Sequence, residues 1–416
     1  MAQLSDDCFA FGGKLLSIDG ALRRIAADVP SVAGIEPVPL HLGDGRILAE
    51  DVIAPLDLPP FDNSAVDGYA VRFSDLTNTS VLPVVGRVAA GAPATEPLPA
   101  GVARRIFTGA ALPSGADTVF MQEDVRIDAE NCVHLPSGLQ LGANTRPRGE
   151  DIARGARALP AGRRLRPQDL ALAAALGLQT LAVRRPVRVA LFSTGDELVE
   201  PGTPTLAAQR YDSNRALLAA LVSRAGAKVR DLGILADRQQ EIAKALATAA
   251  QDNDLVLSSG GVSTGDEDHV KAAVESVGTL TFWRLAIKPG RPVAMGIIRG
   301  VPFVGLPGNP VAAFITFVHL ARPLIAALGG APVEPPASLR VRAEFSHRKK
   351  TGRREYVRVR LSFGPDGEPR AHKHPVDGAG ILTSLTQTSG IVELGELVNQ
   401  VTPGDSVSYL PYEGLL

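Results

Sequence analysis

Cysteine is nearly absent: Cys8 and Cys132 are the two in 416 residues, and neither has Cys or His at metal-ligand spacing. The seven histidines are scattered as well. A zinc centre is not expected, and the cysteine usage suits a reducing cytosol. An excess of charge of either sign is also missing, with 43 Lys and Arg against 44 Asp and Glu, a net charge of −1 and a pI near 6.7. This excludes a broad electrostatic footprint for nucleic acid, so an anion recognised here is small and met by a local basic pocket.

No basic-then-apolar leader is seen, since Ser5-Asp6-Asp7 is acidic and nearby apolar runs are short; secretion is not expected and a cytoplasmic location is. The longest apolar stretch, 311–328, is broken by His319, Arg322 and Pro323 and is marginally short for a membrane span. It is expected to be a buried core helix, with no membrane role. Internal repeats and low-complexity tracts are absent.

What is present is length enough for two to four domains. From 188 to 329, apolar strand-like runs alternate with amphipathic helix-like runs, the signature of a parallel sheet covered by helices. Ser213 reads as N-cap of one helix, and Asn309 with Pro310 at N1 opens the long apolar one. Residues 1–186 read as β-rich, with helices predicted only at 17–27 and 167–176. A proline-rich linker at 332–336 precedes a small domain of strand-period alternation. The expected fold class is multidomain α/β plus β: a central doubly wound α/β domain, β-rich N-terminal lobes and a small C-terminal β-barrel-like domain.

The most informative segment is Asp254-Leu-Val-Leu-Ser-Ser-Gly-Gly-Val-Ser-Thr-Gly-Asp-Glu-Asp268. A short apolar strand runs into a glycine turn, Gly260-Gly261, which delivers Ser263 and then Asp266, Glu267 and Asp268 to a helix start. Glycines let backbone N–H groups approach an anion, and the helix start faces it with its positive end. Carboxylates beside phosphate call for a divalent cation between them. Glu197, in Thr194-Gly-Asp-Glu197, and Asp237 occupy comparable strand ends. Converging there with Asp268, they would repel unless a cation joined them, and Mg²⁺ fits.

Arg284-Leu-Ala-Ile-Lys-Pro-Gly-Arg291 supplies the opposite charge around a proline-stiffened turn, which suits an oxyanion. Three further segments stay ambiguous from spacing alone: Phe61-Asp-Asn-Ser-Ala-Val-Asp67, Arg105-Ile-Phe-Thr-Gly-Ala110 and Arg148-Gly-Glu-Asp-Ile152. An Asx turn accounts for much of the first.

Taken in order, Asp62 to Tyr69, Thr108-Gly109, Arg148 to Asp151, Ser193 to Glu197, Ser258 to Asp268, Lys288-Pro-Gly-Arg291 and Leu306-Pro-Gly-Asn-Pro310 resemble the molybdopterin molybdenumtransferase family, the MoeA and gephyrin E-domain type. The resemblance implies a cytosolic homodimer of four-part protomers: a linking domain of 1–60 with 145–186, a β-rich lobe of 61–144, an α/β domain of 187–330 and a β domain of 337–416. It implies molybdenum insertion from molybdate into adenylylated molybdopterin, with Mg²⁺-dependent release of AMP. Molybdopterin adenylyltransferase and apo-molybdoenzymes are implied as transient partners.

Carried over by position, Asp237 and Asp268 would lie by Mg²⁺ with Glu197 nearby, while Ser263, Lys288 and Arg291 would face phosphate or molybdate. Asp67, Thr108 and Asp151 would reach the site from the partner subunit. Arg353 and Ser384 resemble the family's oxyanion-contacting pair. Arg284 and Arg291 stand where many relatives carry Lys, and Ala379 where Ser is frequent, which leaves molybdate against tungstate open. Two other readings are the adenylyltransferase step that precedes insertion and a gephyrin-like scaffold; the lobes at both ends favour insertion over the first, and no separate peptide-binding segment speaks for the second.

Overall fold

The computed structural model describes residues 15–92, 96–261 and 269–415. Ser263 and Asp268 lie outside the described residues, as do Asp266, Glu267 and Cys8.

The centre of the molecule is a seven-stranded sheet in the order Leu15–Leu16, Gly278–Leu285, Pro292–Ile298, Val301–Leu306, Leu255–Ser259, Arg188–Thr194, Lys228–Leu235. The last four run parallel, whereas Pro292–Ile298 is antiparallel to both neighbours. Strands such as Leu255–Ser259 are buried along their whole length because helices cover both faces. One face carries Ser213–Arg224, Ile18–Asp28 and the apolar helix beginning at Pro310; the other carries Gln239–Asp252 and His269–Val277.

The apolar helix is long enough to span a membrane, but 83% of its most apolar window is buried inside the protein. It serves as the core helix of the sheet, with one π-helical turn at Phe317–Ala321 around His319. Its first turn begins as the sequence predicts, with Asn309 at the N-cap and Pro310 at N1. Asn309 occupies the N-cap without a side-chain hydrogen bond, and the Val311 N–H instead donates to the Ala379 carbonyl of the C-terminal domain at 3.0 Å. The other expected cap is off by one residue: Asp212, not Ser213, caps Ser213–Arg224 and accepts from the Arg215 N–H.

The N-terminal half contains a six-stranded sheet built from strands between Gly68–Val71 and Cys132–His134. Short pairs follow, Ile35–Pro39 with Thr180–Arg184 and Val52–Ile53 with Arg157–Leu159, packed by the Pro167–Ala175 helix. Leu15–Leu16 and Ile18–Asp28, within the 1–60 segment, extend the central sheet and its apolar core. Asp254 ties that core to the linking strands, accepting two hydrogen bonds from Arg185 at 2.6 and 2.8 Å.

The C-terminal region closes a five-stranded barrel. Arg354–Phe363 pairs with Pro369–Lys373 and with Gly390–Leu394, and the ring returns through Ser406–Pro411 and Leu339–Ala343. Ile287–Lys288 of the central domain pairs in parallel with Arg354–Glu355 of this barrel.

Candidate active site

At the carboxyl ends of Arg188–Thr194, Leu255–Ser259 and Val301–Leu306 lies a cavity of about 200 Å³. Ligands of open α/β sheets bind beyond these strand ends. Thr194, Glu197, Asn214, Ser259, Gly260 and Gly308 line it, and Gly380 and Leu382 of the C-terminal domain close one side.

The glycine turn is shaped for close approach. Gly260 and Gly261 have φ of 83° and 66°, and a Cβ on Gly261 would come within 2.3 Å of Val270 and 2.8 Å of Thr194. Only glycine fits that backbone without displacing its neighbours. Asn214 is a functional candidate that sequence reasoning missed. Its Nδ2 donates to Ser259 Oγ at 3.0 Å and to the Gly308 carbonyl at 2.8 Å, joining both strand-to-helix turns. Its buried Oδ1 has no hydrogen-bond partner among the described residues, an acceptor left unspent beside the side chain's own donors.

Glu197 and Asp237 both stand at this edge, in different states. Glu197 Oε1 is paired with Arg210 at 2.6 Å, while Asp237 accepts one long bond of 3.4 Å from Thr194. Among the described residues no three His, Cys, Asp or Glu side chains gather as a metal cluster. Asp268, the third expected carboxylate, is outside them.

Of the expected cations, Arg284, Lys288 and Arg291 are exposed. Lys288 Nζ donates to the buried Glu355 Oε1 at 2.7 Å, and His347 Nε2 meets the same oxygen at 3.0 Å. Lys373 donates to His347 Nδ1 at 3.3 Å, so the ring proton sits on Nε2 and Glu355 accepts it. Burial pushes the Glu355 carboxyl up, but hydrogen bonds from His347 and Lys288 outweigh it and hold the pKa at about 2. Glu355 was not singled out from sequence; an acid in the apolar-alternating run after Arg353 was the available signal. Arg353 is half-buried beside this strand, whereas Ser384 is fully buried and donates to the Ile381 carbonyl at 2.5 Å.

The three ambiguous N-terminal segments converge. Asp67 Oδ1 accepts from both the N–H and the hydroxyl of Thr108 at 2.7 Å, bonds that lower its pKa. Gly109 and Ala110 are stitched to Ser64 by backbone bonds. Asp62 accepts from the Arg148 N–H at 2.7 Å, and the Asp151 N–H donates to the Leu58 carbonyl, leaving its carboxylate exposed.

Comparison with known proteins assigns three regions of the chain to one family. Residues 16–177 match the family model described as the MoeA N-terminal region (domain I and II), 190–327 the probable molybdopterin binding domain, and 340–412 the MoeA C-terminal region (domain IV). A molybdopterin molybdenumtransferase of Haemophilus influenzae is 38% identical, with 97% of this chain and 100% of that one covered. One from Nostoc sp. is 38% identical over 87% of this chain and 85% of its own. The solved structure of a molybdopterin biosynthesis MoeA protein from Pyrococcus horikoshii superposes with a TM-score of 0.81 at 29% identity, covering 96% of this chain and 100% of that one. The chain therefore belongs to the molybdopterin molybdenumtransferase family.

Proposed function

We propose that this protein inserts molybdenum from molybdate into adenylylated molybdopterin, with Mg²⁺-dependent release of AMP, as a cytoplasmic homodimer in which each site draws on both subunits. The observation that carries the reading is the cavity at the parallel strand ends, where Gly260 of the glycine turn, Asn214 and Glu197 meet Gly380 and Leu382 of the C-terminal domain, with Asp237 bonded to the lining residue Thr194. The same reading divides the chain into a linking domain of 1–60 with 145–186, a lobe of 61–144, an α/β domain of 187–330 and a β domain of 337–416.

The residues fit magnesium. Asp237 and Glu197 keep carboxylate oxygens beyond the single bonds to Thr194 and Arg210, and hard oxygen donors with room for water and phosphate are what Mg²⁺ takes. Asp237, Glu197 and Asp268 would hold it, and once bound it supplies Lewis-acid stabilisation of a leaving phosphate. The backbone at Gly260 and Gly261, with Ser263, receives the phosphates. Lys288, Arg284, Arg291 and Arg353 attract the oxyanion, and the Glu355 pair fixes the ammonium of Lys288. Ser384 would need its local bond to Ile381 released to join them. Asp67, Thr108 and Asp151 serve the partner subunit's site, and molybdopterin adenylyltransferase and apo-molybdoenzymes are transient partners.

The test is the purified protein with adenylylated molybdopterin, Mg²⁺ and molybdate, scored for AMP release and for reconstitution of an apo-molybdoenzyme. Release of AMP with reconstitution supports insertion. Formation of adenylylated molybdopterin from ATP by this protein would favour the adenylyltransferase reading instead.

A further inference from the structure

On the edge of the central sheet opposite the active site is a second, larger cavity of about 630 Å³, at the seam between the linking strands and the central domain. The helix Ser213–Arg224 runs from one cavity to the other, its first residues lining the smaller and Arg224 the larger. Its 12 residues set the two about 18 Å apart. The larger cavity is lined by Arg163, Arg164, Arg166, Arg224 and Arg322, with Glu334 as its sole acid.

These arginines divide by what holds them. Arg163 is spent on Asp169 through two bonds of 2.9 and 2.8 Å, and Arg166 approaches the same carboxylate at 3.6 Å. Among the described residues, Arg164 donates only to the carbonyls of Gly45 and Ala225, at 3.0 and 2.9 Å, and Arg322 only to that of Leu415, at 3.0 Å. Among the described residues no carboxylate pairs with Arg164, Arg224 or Arg322. Neighbouring atoms crowd the Arg164 and Arg322 guanidinium groups, desolvation lowering both pKa values and the charge of Arg164 adding to the effect at Arg322.

Carbonyl dipoles orient a guanidinium but do not neutralise it, and a guanidinium has five N–H donors, most of them unspent here. The seat is also shaped to hold this charge. Gly226 has φ of 83°, and a Cβ there would stand 2.7 Å from Arg164 Nη1. Three unneutralised forks facing one cavity match an anion with several oxygens, since guanidinium and phosphate pair through two parallel bonds. The volume lies within the roughly 300–1,000 Å³ of small-molecule pockets.

We propose that this cavity binds a small polyanion carrying two or more phosphate groups, which neutralises Arg164, Arg224 and Arg322 and braces the linking strands against the central domain. The site is separate from the one that receives the substrate phosphates.

Isothermal titration of the full-length protein with inorganic pyrophosphate at fixed ionic strength tests it. Binding is expected to survive Lys288→Ala, which alters the active-site edge, and to weaken about tenfold in each of Arg164→Gln and Arg224→Gln, the loss of one charge-assisted bond. Arg224 is exposed at a helix end, so its variant reads the site without a folding defect; circular dichroism checks both. No binding, unchanged binding in the two arginine variants, or binding abolished by Lys288→Ala overturns the proposal. So does a result in which those variants alter only the monomer–dimer balance, because the guanidinium groups would then face carboxylates of a second subunit.

Discussion

Lys288 and Glu355, 67 residues apart, form a 2.7 Å ion pair across the junction of the central domain and the C-terminal barrel. Lysine contributes an exposed ammonium and glutamate a buried carboxylate, with side-chain exposures of 55% and 9%. The pair therefore holds an exposed cation at the domain junction while its far end is anchored in protein.

Replacing Glu355 by Gln should cost about 1.5–3 kcal/mol of stability, the range for hydrogen bonds to charged groups, read as a lower urea midpoint. The same variant should raise the molybdate concentration for half-maximal insertion several-fold, and Lys288→Ala should raise it about ten- to a hundred-fold. The folded Glu355 pKa is depressed from 4.5 to about 2. Its contribution is accordingly complete above pH 4.5 and lost as the pH falls towards 2, a dependence absent from Glu355→Gln. Unchanged urea and molybdate curves in that variant would remove Glu355 from any positioning role.

His319 should make the protein acid-sensitive at higher pH. Burial first, then the charges of Arg322 and Arg354, depress its pKa from 6.5 to about 3; its Nε2 has no partner among the described residues, and its ring stacks on Tyr356. The unfolded chain takes up a proton below pH 6.5 that the folded chain refuses, so stability falls by up to about 1.4 kcal/mol per pH unit until the folded pKa is reached. His319→Phe keeps the stack and removes the titration. It should match the parent at pH 7 and exceed it by about 2 kcal/mol at pH 5; parallel stability curves for the two proteins would refute the assignment.

Gly261→Ala should both destabilise and inactivate. The added methyl meets Val270 and Thr194 at contact distances no relaxed structure tolerates, on a backbone of positive φ, at an expected cost of about 1–3 kcal/mol. AMP release should fall more than global stability if the displaced turn is the phosphate cradle proposed above. Wild-type turnover at equal folded fraction would separate the turn from the chemistry.

Subunit mixing tests the shared site. If Asp67 serves the partner's centre, then Asp67→Ala mixed with Asp237→Asn gives hybrid dimers having one doubly damaged and one intact site, restoring roughly a quarter of wild-type sites after random exchange. Tagging one protein verifies exchange. Hybrids without activity would assign each centre to a single chain.

The parallel strands and the glycine turn were legible because their signal is local: apolar runs such as Asp254-Leu-Val-Leu end at Gly260-Gly261, and backbone sterics do the rest. The barrel followed from strand-period alternation after residue 339. What stayed hidden depends on distant partners. The two-residue strand Leu15–Leu16 has no periodicity to read and is fixed only by its pairing with Gly278–Leu285. Asp67 could be read as an Asx turn until its partner Thr108, 41 residues on, was known. Glu197 was read for its charge, yet Arg210 consumes one oxygen, and Ser384 was read for its hydroxyl, which a local carbonyl holds. Asn309 was read as the N-cap and stands there, but sequence could not show that the distant Ala379 carbonyl takes the Val311 N–H in place of a side-chain bond.

The apolar core on one face of the central sheet is assembled from both extremities, with Leu16, Ile18 and Ile25 meeting Phe314, Phe317 and Leu324 while Tyr356, Ile391, Leu410 and Leu415 complete it. During synthesis, then, the helix beginning at Pro310 leaves the ribosome well before the segment that covers it. A nascent chain of this protein carries an uncovered apolar surface until residues 391–415 have emerged, because these complete the core. Chaperone demand should accordingly persist until that segment has emerged, and truncation within the barrel strand Ser406–Pro411 should give aggregation in place of a shortened but soluble protein.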